Sequence, residues 1–403
     1  MKVLLAHPGT QYSFQLARQL YKKNILHEFH TGIAFGKDSW LYKIFSRLPA
    51  KIYNKVSNRF IDDVPDRYLK RYPFIEIKAL IRLKLGYDEE KVLYKRNMQF
   101  QGIIPNSCVE GATVIIGFDT SSWILADRCK KLNKKFILDV SIAHPVSKLK
   151  VYRRIIRLYP DWKFSVKQKA HKLIAVEEVE MELATHIVVA SSFTLGTYVE
   201  HGISTDKISI NSYGVDTKLF MPQEKHKKTG DIIRFVFVGL VDARKGIPFL
   251  LEAWSKLNLT NTELTLIGPV TTTTEKIINS NYPSVIIKGK LSFSEVKDML
   301  PNYDVMIFPS FFEGFGLVIP EAMASGLPVI TTTATCGPDI IENGKEGFII
   351  GPGDGDALTT AIRYFCNDAG KVNEMGIFAR EKAKQSSWDA YGNKWFDIIK
   401  SHT

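Results

Sequence analysis

Cysteine is scarce in this chain. Cys108, Cys129, Cys336 and Cys366 are the only four in 403 residues, and no two form a C-x-x-C pair. That argues against a disulfide scaffold and a cysteine zinc site, and it makes a reduced, cytosolic setting the default. Long apolar runs are lacking as well. Nothing approaches the roughly 20 residues of a membrane-spanning helix, and the apolar run in Met1–Pro8 is too short for the core of a signal peptide. A soluble or peripheral protein is the expectation. The chain has no short tandem repeat and no low-complexity segment, and it lacks a P-loop, a G-x-S-x-G and an H-E-x-x-H.

What is present is ordinary globular composition, 45% hydrophobic and 24% charged, which sets aside collagen-like and disordered classes. The length suits two or three domains, each able to bury a core. The net charge of +12 is uneven. Residues 1–220 carry 35 Lys and Arg against 21 Asp and Glu, a net +14, whereas residues 221–403 carry 19 against 21, a net −2. The basic part suits an anionic partner or a solvated surface equally well.

Short β-branched runs alternate with helical periodicity along the chain, the pattern of an α/β fold. In the first part the runs 3–6, 112–118, 135–140, 187–190 and 208–213 predict strands, with helices over 14–23, 123–132 and 166–184. The polar stretch 221–231 holds Pro and Gly without apolar period and reads as a linker. A second series follows, with strands at 232–238, 263–267, 285–287, 305–309, 328–332 and 347–350, and helices at 247–256, 292–299, 318–325 and 357–366. Two parallel α/β units facing across a cleft bind ligands outside the carboxyl ends of their strands.

The most informative segment runs from Phe308 to Ile330. A strand ends at Pro309, a loop with Gly314 and Gly316 follows, and a helix opens near Val318. Free amides at such a helix start suit phosphate oxygens. Glu313 and Glu321 stand eight positions apart around the loop, and a carboxylate accepts paired hydrogen bonds from vicinal hydroxyls of a sugar or ribose. On the residues alone, a dipole acid at Glu313 and a solvated helix acid at Glu321 serve as well.

This segment resembles the E-x7-E region of family 4 retaining glycosyltransferases. The resemblance continues through Phe237–Gly246, which is similar to the family's diphosphate turn, and through Cys336–Gly347 and Gly351–Asp354, similar to its closing segment. It is nearly unbroken from about 232 to 385. In the first part, Glu177–Glu182, Ala184–Ser192 and Asn211–Asp216 resemble the end of the family's first domain. Leu138–Pro145 resembles the strand end whose histidine, here His144, contacts the donor sugar. His7–Gln11 occupies the place of the N-terminal glycine loop, with Gly9 where many members have a glycine pair. Leu240 stands where many members carry Arg after Gly239; Arg244, beside Lys245, is the candidate replacement, with a solvent-facing helix-start residue as the alternative.

The resemblance implies a GT-B architecture of two Rossmann-like domains. The implied boundaries are an acceptor-side domain over 1–220, a nucleotide-sugar-binding domain over 221–385, and a helix over 386–403 returning to the first domain. It implies retaining transfer of a sugar from a nucleotide-sugar donor to an acceptor hydroxyl. Glu321 is assigned to the ribose, Glu313 to the transferred sugar, and the amides of Phe315, Gly316 and Leu317 to sugar and phosphate. Lys245, with Arg244, would stabilise the departing diphosphate, and His144 would orient the sugar. Gly239 and Gly9 complete the donor-binding set. No cofactor and no divalent metal are expected, since cations and helix amides neutralise the diphosphate. The D-x-D of Asp354–Asp356 reads as a helix cap.

Lys43, Arg47, Lys51, Lys55 and Arg59 recur every four residues, with Trp40, Ile44, Phe45, Leu48, Ile52, Val56 and Phe60 beside and between them. Such a stripe suits a peripheral enzyme on the inner, anionic face of a membrane, or a helix packed on the first domain with its lysines in solvent. Pro49 interrupts it. A sugar or lipid-linked acceptor follows from the first reading. Alternatives for the whole chain are another GT-B reaction, such as a sugar-nucleotide epimerase or sugar-phosphate glycosyl transfer, and nucleic-acid binding. For the last, only charge speaks, with no RRM, KH or helix-turn-helix signature.

Overall fold

A computed structural model describes the chain apart from residues 11, 37, 46, 48–58, 62, 167–170, 225–227, 229 and 258. Two parallel sheets organise it. The first holds, in spatial order, Leu69–Arg71, Leu26–Thr31, Val3–His7, Val114–Phe118, Lys135–Val140, His186–Val189 and Ile208–Ile210. The second holds Val285–Gly289, Thr262–Ile267, Ile233–Val238, Val305–Phe308, Val329–Thr332 and Gly347–Ile350. Counted along each sheet's own strands, both orders begin 3-2-1-4-5-6, the doubly wound arrangement. The order reverses between strands 1 and 4, and there the loops diverge to leave a crevice. Val3, Leu4, Leu5, Val114, Ile115 and Ile116 are fully buried, as strands covered on both faces require.

The expected strand over 208–213 stops at Ile210, because its neighbour in the sheet ends at Val189. Of the expected helix over 166–184, the described part is the α-helix His171–Leu183, which follows a 3-10 turn at Pro160–Ser165; residues 167–170 lie outside the described residues. The stripe at 43–59 is described only at its ends. Lys43 lies on the short helix Trp40–Phe45, and Arg59 pairs with Glu76 at 3.6 Å. Lys51 and Lys55 lie outside the described residues.

Two stretches join the sheets. One is the segment after Phe220, part of which lies outside the described residues. The other follows the Gly370–Lys384 helix, where Ser386 accepts from the Val215 amide (2.8 Å) and Ser387 caps the last helix, Trp388–Ser401. That helix lies on Ser13–Lys22 of the first unit. Lys22 pairs with Asp389 at 3.1 Å, Asn211 donates to the Tyr391 carbonyl, and Trp395 is fully buried. Arg380 ties the connections together, donating to the carbonyls of Phe220 (2.6 Å), Thr217 (2.9 Å) and Ala324.

Candidate functional site

The crevice of the second sheet lies between Ile233–Val238 and Val305–Phe308, and the loops leaving these two strands carry Lys245 and Glu313. Gly246 allows them to meet. Its φ is +77°, and a Cβ there would stand 2.1 Å from the Pro309 carbonyl oxygen. Arg244 and Lys245 are thereby drawn against the end of the neighbouring strand.

Both cations converge on one carboxylate oxygen. Glu313 Oε1 accepts from Lys245 Nζ at 2.6 Å, Arg244 Nη1 at 2.9 Å and the Ser310 hydroxyl at 2.7 Å. Arg244 also donates to the Phe312 carbonyl (3.1 Å), so it is turned inward and does not face solvent at the helix start. Burial alone would raise the Glu313 pKa, but Lys245 and Arg244 outweigh it and hold the carboxyl below its ordinary range. Burial depresses the Lys245 ammonium against the opposing pull of Glu313. Asp242 accepts from the Lys245 amide at 2.8 Å, and burial raises its pKa despite the adjacent cations. The cluster is a buried, charge-rich group with two cations on a single oxygen.

The loop after Glu313 is clamped to the first unit. The Gly314 carbonyl accepts from Ser191 Oγ (2.7 Å) and Thr194 Oγ1 (3.0 Å), and a Cβ on Gly314 would lie 1.8 Å from the Ser141 oxygen. The Asp339 carboxylate accepts from the Ser192 amide at 3.1 Å. Phe315 packs its ring on Tyr213 with centroids 5.2 Å apart. Among the described residues, the amides of Phe315, Gly316 and Leu317 donate to no protein acceptor. They precede the helix Val318–Ala324 and supply donors for an anion.

Glu321 and Leu317 line an interdomain cavity of about 760 Å³ with Tyr12, Arg18, Ser141 and Trp388. The Glu321 carboxylate has no partner among the described residues, and its surroundings push its pKa up to about 8 by desolvation. Arg18 lines the same cavity, and its buried Nε has no hydrogen-bond partner among the described residues. Sequence reasoning missed Arg18 and Ser310. Ser310 stands three residues before Glu313 in the same loop; nothing local marks Arg18.

His144 caps the helix Pro145–Leu158, with Nδ1 accepting from the Val146 amide at 3.3 Å, which leaves the proton on Nε2. Its ring stacks on His201 at 4.2 Å and meets Tyr198 edge-on. Burial and His201 lower its pKa to about 4. No hydrogen bond or ion pair joins it to the Glu313 cluster among the described residues. Its neighbour Ala143 packs on Phe312 and Ala334 of the second unit. Gly9 lies after the first strand, its amide donating to His7 Nδ1 at 3.1 Å. Gly239 follows Ile233–Val238 with a φ of +155°, and a Cβ there would lie 3.1 Å from the Phe237 ring, which would have to give way.

Asp354 Oδ1 accepts from the Ala357 amide at 3.0 Å as a helix cap. The one described group of side chains close enough to share a metal lies in the first unit, with Glu28 and His30 on the strand Leu26–Thr31 and Cys108 on the helix Asn106–Gly111. Both nitrogens of His30 there engage Glu28 and Tyr72.

Two doubly wound sheets facing across a cleft, with the last helix returning to the first, define a GT-B protein. Residues 233–368, within the second unit, match the family described as glycosyl transferases group 1. Over 268 residues the chain is 25% identical to the MMP alpha-(1->4)-mannosyltransferase of Mycolicibacterium hassiacum, covering 63% of each chain. It is 28% identical to the capsular polysaccharide biosynthesis glycosyltransferase CapM of Staphylococcus aureus, covering 53% of this chain and 60% of that one. The chain thus spans less than two thirds of the length of these relatives. Anabaena HepE, solved with UDP and glucose, superposes over 100% of both chains with a TM-score of 0.64 at 13% identity.

Proposed function

We propose that this protein is a retaining glycosyltransferase that moves a sugar from a nucleotide-sugar donor to an acceptor hydroxyl in the assembly of a surface polysaccharide or glycolipid. The observation that carries the reading is the pair Arg244 and Lys245 on the Glu313 oxygen, beside the unpaired amides of Phe315–Leu317. As the anomeric bond breaks, negative charge grows on the departing diphosphate, and fixed cations and amides stabilise it without reorganising. Glu321 accepts the ribose hydroxyls and Glu313 faces the transferred sugar. His144, neutral with its pKa near 4, hydrogen-bonds sugar hydroxyls and is not an acid at neutral pH. Gly9 and Gly239 let donor phosphates approach the backbone. No divalent metal is needed in this arrangement. The names of the mannosyltransferase and CapM, and the UDP and glucose in HepE, support the reaction class.

The acceptor in this reading is lipid-linked, and the enzyme works in the cytoplasm at the inner face of the membrane. Its +14 first part, including the stripe Lys43–Arg59, meets the anionic surface. No helix among the described residues is long and apolar enough to cross a membrane.

UDP-, GDP- and ADP-sugars are screened for thermal stabilisation and for turnover. One donor class should raise the melting temperature, turnover should persist in excess EDTA, and the product anomer should match the donor. Lys245→Ala should lower kcat by at least two orders of magnitude, the scale of one lost transition-state donor. An inverted anomer overturns retention, loss of turnover on chelation overturns metal independence, and no response to any nucleotide sugar overturns the whole reading.

A further inference from the structure

The helix Pro73–Lys84 is built inside out. Its single acid, Glu76, is buried and paired with Arg96 at 3.2 Å and Arg59 at 3.6 Å. Its largest apolar residues point to solvent: Phe74 is 86% exposed, Ile81 54%, Ile77 44%, and Leu85 just past the end 69%. At about 3.6 residues per turn, positions 74, 77, 81 and 85 form one stripe. Lys78 and Arg82 flank it on one side and Lys84 on the other.

The flanking charge extends onto the next helix, Glu89–Ile103. Lys78, Arg82, Lys95 and Arg96 line the groove between the two, and Lys78, Arg82 and Lys95 have no ion-pair partner among the described residues. The acids Asp88 and Glu89, both exposed, and the half-buried Glu90 gather at the start of that second helix, where Asp88 caps the Lys91 amide. At the other end, Trp40 is 68% exposed and shares a small pocket of about 190 Å³ with Pro73. The apolar face therefore continues onto an aromatic of the Trp40–Phe45 helix.

We propose that this face docks on an anionic lipid bilayer, with Phe74, Ile77, Ile81 and Leu85 entering the acyl boundary and the cations on both flanks meeting lipid phosphates. A stripe of Phe, Ile and Leu bordered on each side by Lys and Arg is the chemistry of an interfacial helix, and an exposed Trp beside it suits the headgroup level. A soluble monomer rarely leaves so many adjacent large apolar side chains in water. The inference deepens the membrane part of the reading above and rests on it for no observation. It moves the principal contact from the 43–59 stripe to this helix, and it does not depend on sugar transfer.

The test is flotation of the full chain with vesicles of phosphatidylcholine alone or with 30% phosphatidylglycerol, at low and high salt. Wild type should float with anionic vesicles and much less with neutral ones. The triple variant Phe74→Gln/Ile77→Gln/Ile81→Gln should reduce the bound fraction at least tenfold at low salt, with melting temperature unchanged because these side chains are exposed. Lys78→Gln/Arg82→Gln/Lys95→Gln should bind weakly at low salt and lose the salt dependence. Lys43→Gln/Arg47→Gln/Lys51→Gln/Lys55→Gln should retain most binding. In Phe74→Trp, the added emission should shift to the blue on anionic vesicles and be quenched by brominated acyl chains. If the triple variant floats like wild type while the 43–55 variant does not, the helix is not the docking face and the stripe is. Failure of wild type to float at all overturns both membrane readings and leaves transfer to be judged on donors alone. Concentration-dependent self-association abolished by the triple variant, without flotation, would show that the face covers a second copy instead.

Discussion

Glu321 holds a proton that an ordinary glutamate releases. In the unfolded chain its carboxyl ionises near 4.5, whereas in the cavity it ionises near 8 because desolvation disfavours the charged form. Between those values the folded protein binds more protons than the unfolded chain, so this residue makes stability fall as pH rises from about 4.5 to 8. Glu321→Gln should flatten that part of a urea-midpoint profile. A donor whose hydroxyls hydrogen-bond the carboxylate favours the ionised form, so binding below pH 8 expels the proton and affinity climbs with pH toward that value. Calorimetric titration in two buffers of different ionisation heat reads the release directly. Glu321→Ala should weaken the intact donor by about 1–3 kcal/mol and abolish the release. Proton-neutral binding by wild type, or full-strength binding by the folded variant, removes the ribose role.

Sequence reasoning reached Lys245, Glu313 and Glu321 because each sits in a contiguous motif. It left Arg244 open between phosphate and solvent, since its orientation depends on the Phe312 carbonyl and Glu313, 68 and 69 residues away. The stacking of His144 on His201 was equally illegible, being set by how two helices meet.

At the level of elements, the turn at Gly246 locks one strand's loop to the next strand's end. Gly246→Ala forces a β-carbon into the Pro309 carbonyl and requires a positive φ. The variant should lose about 1–3 kcal/mol of stability and should part Lys245 from Glu313. Denaturant midpoints check the first effect, and loss of nucleotide-dependent stabilisation checks the second. An unchanged midpoint would mean the loop accommodates the methyl group.

Elements of the second unit were readable because buried parallel strands are continuous apolar runs, such as Ile233–Val238 and Val305–Phe308. The strand Leu26–Thr31, with two histidines and a glutamate, hides that signal. The helix Pro73–Lys84 escaped for a sharper reason. Its acid faces in and its apolar stripe faces out, the reverse of the rule by which an apolar stripe is assigned to the core.

For the whole molecule, the last helix is as much part of the first unit as any helix of its own. Trp395 is fully buried, and Gly392 lies so close to Gln19 that a Cβ would stand 2.3 Å from its amide oxygen. Trp395→Ala should cost about 3–5 kcal/mol. The loss should appear as early unfolding of residues 1–220 in hydrogen exchange, with the 233–350 sheet protected until later. Simultaneous loss of protection in both sheets would mean the two units unfold as one.

Because the chain passes between its units twice, the cleft moves differently from one spanned by a lone tether. The stretch 215–220 that leads into the first crossing and the junction at Ser386 lie side by side, joined by the Val215 amide and by the Arg380 guanidinium. A single tether leaves twist, tilt and translation all free. Two adjacent ones suppress twist and sliding and leave chiefly a swing about the line between them, as two pins on one door edge do. The Gly314 carbonyl, gripped by Ser191 and Thr194, adds a third tie across the cleft, away from the two chain crossings in sequence.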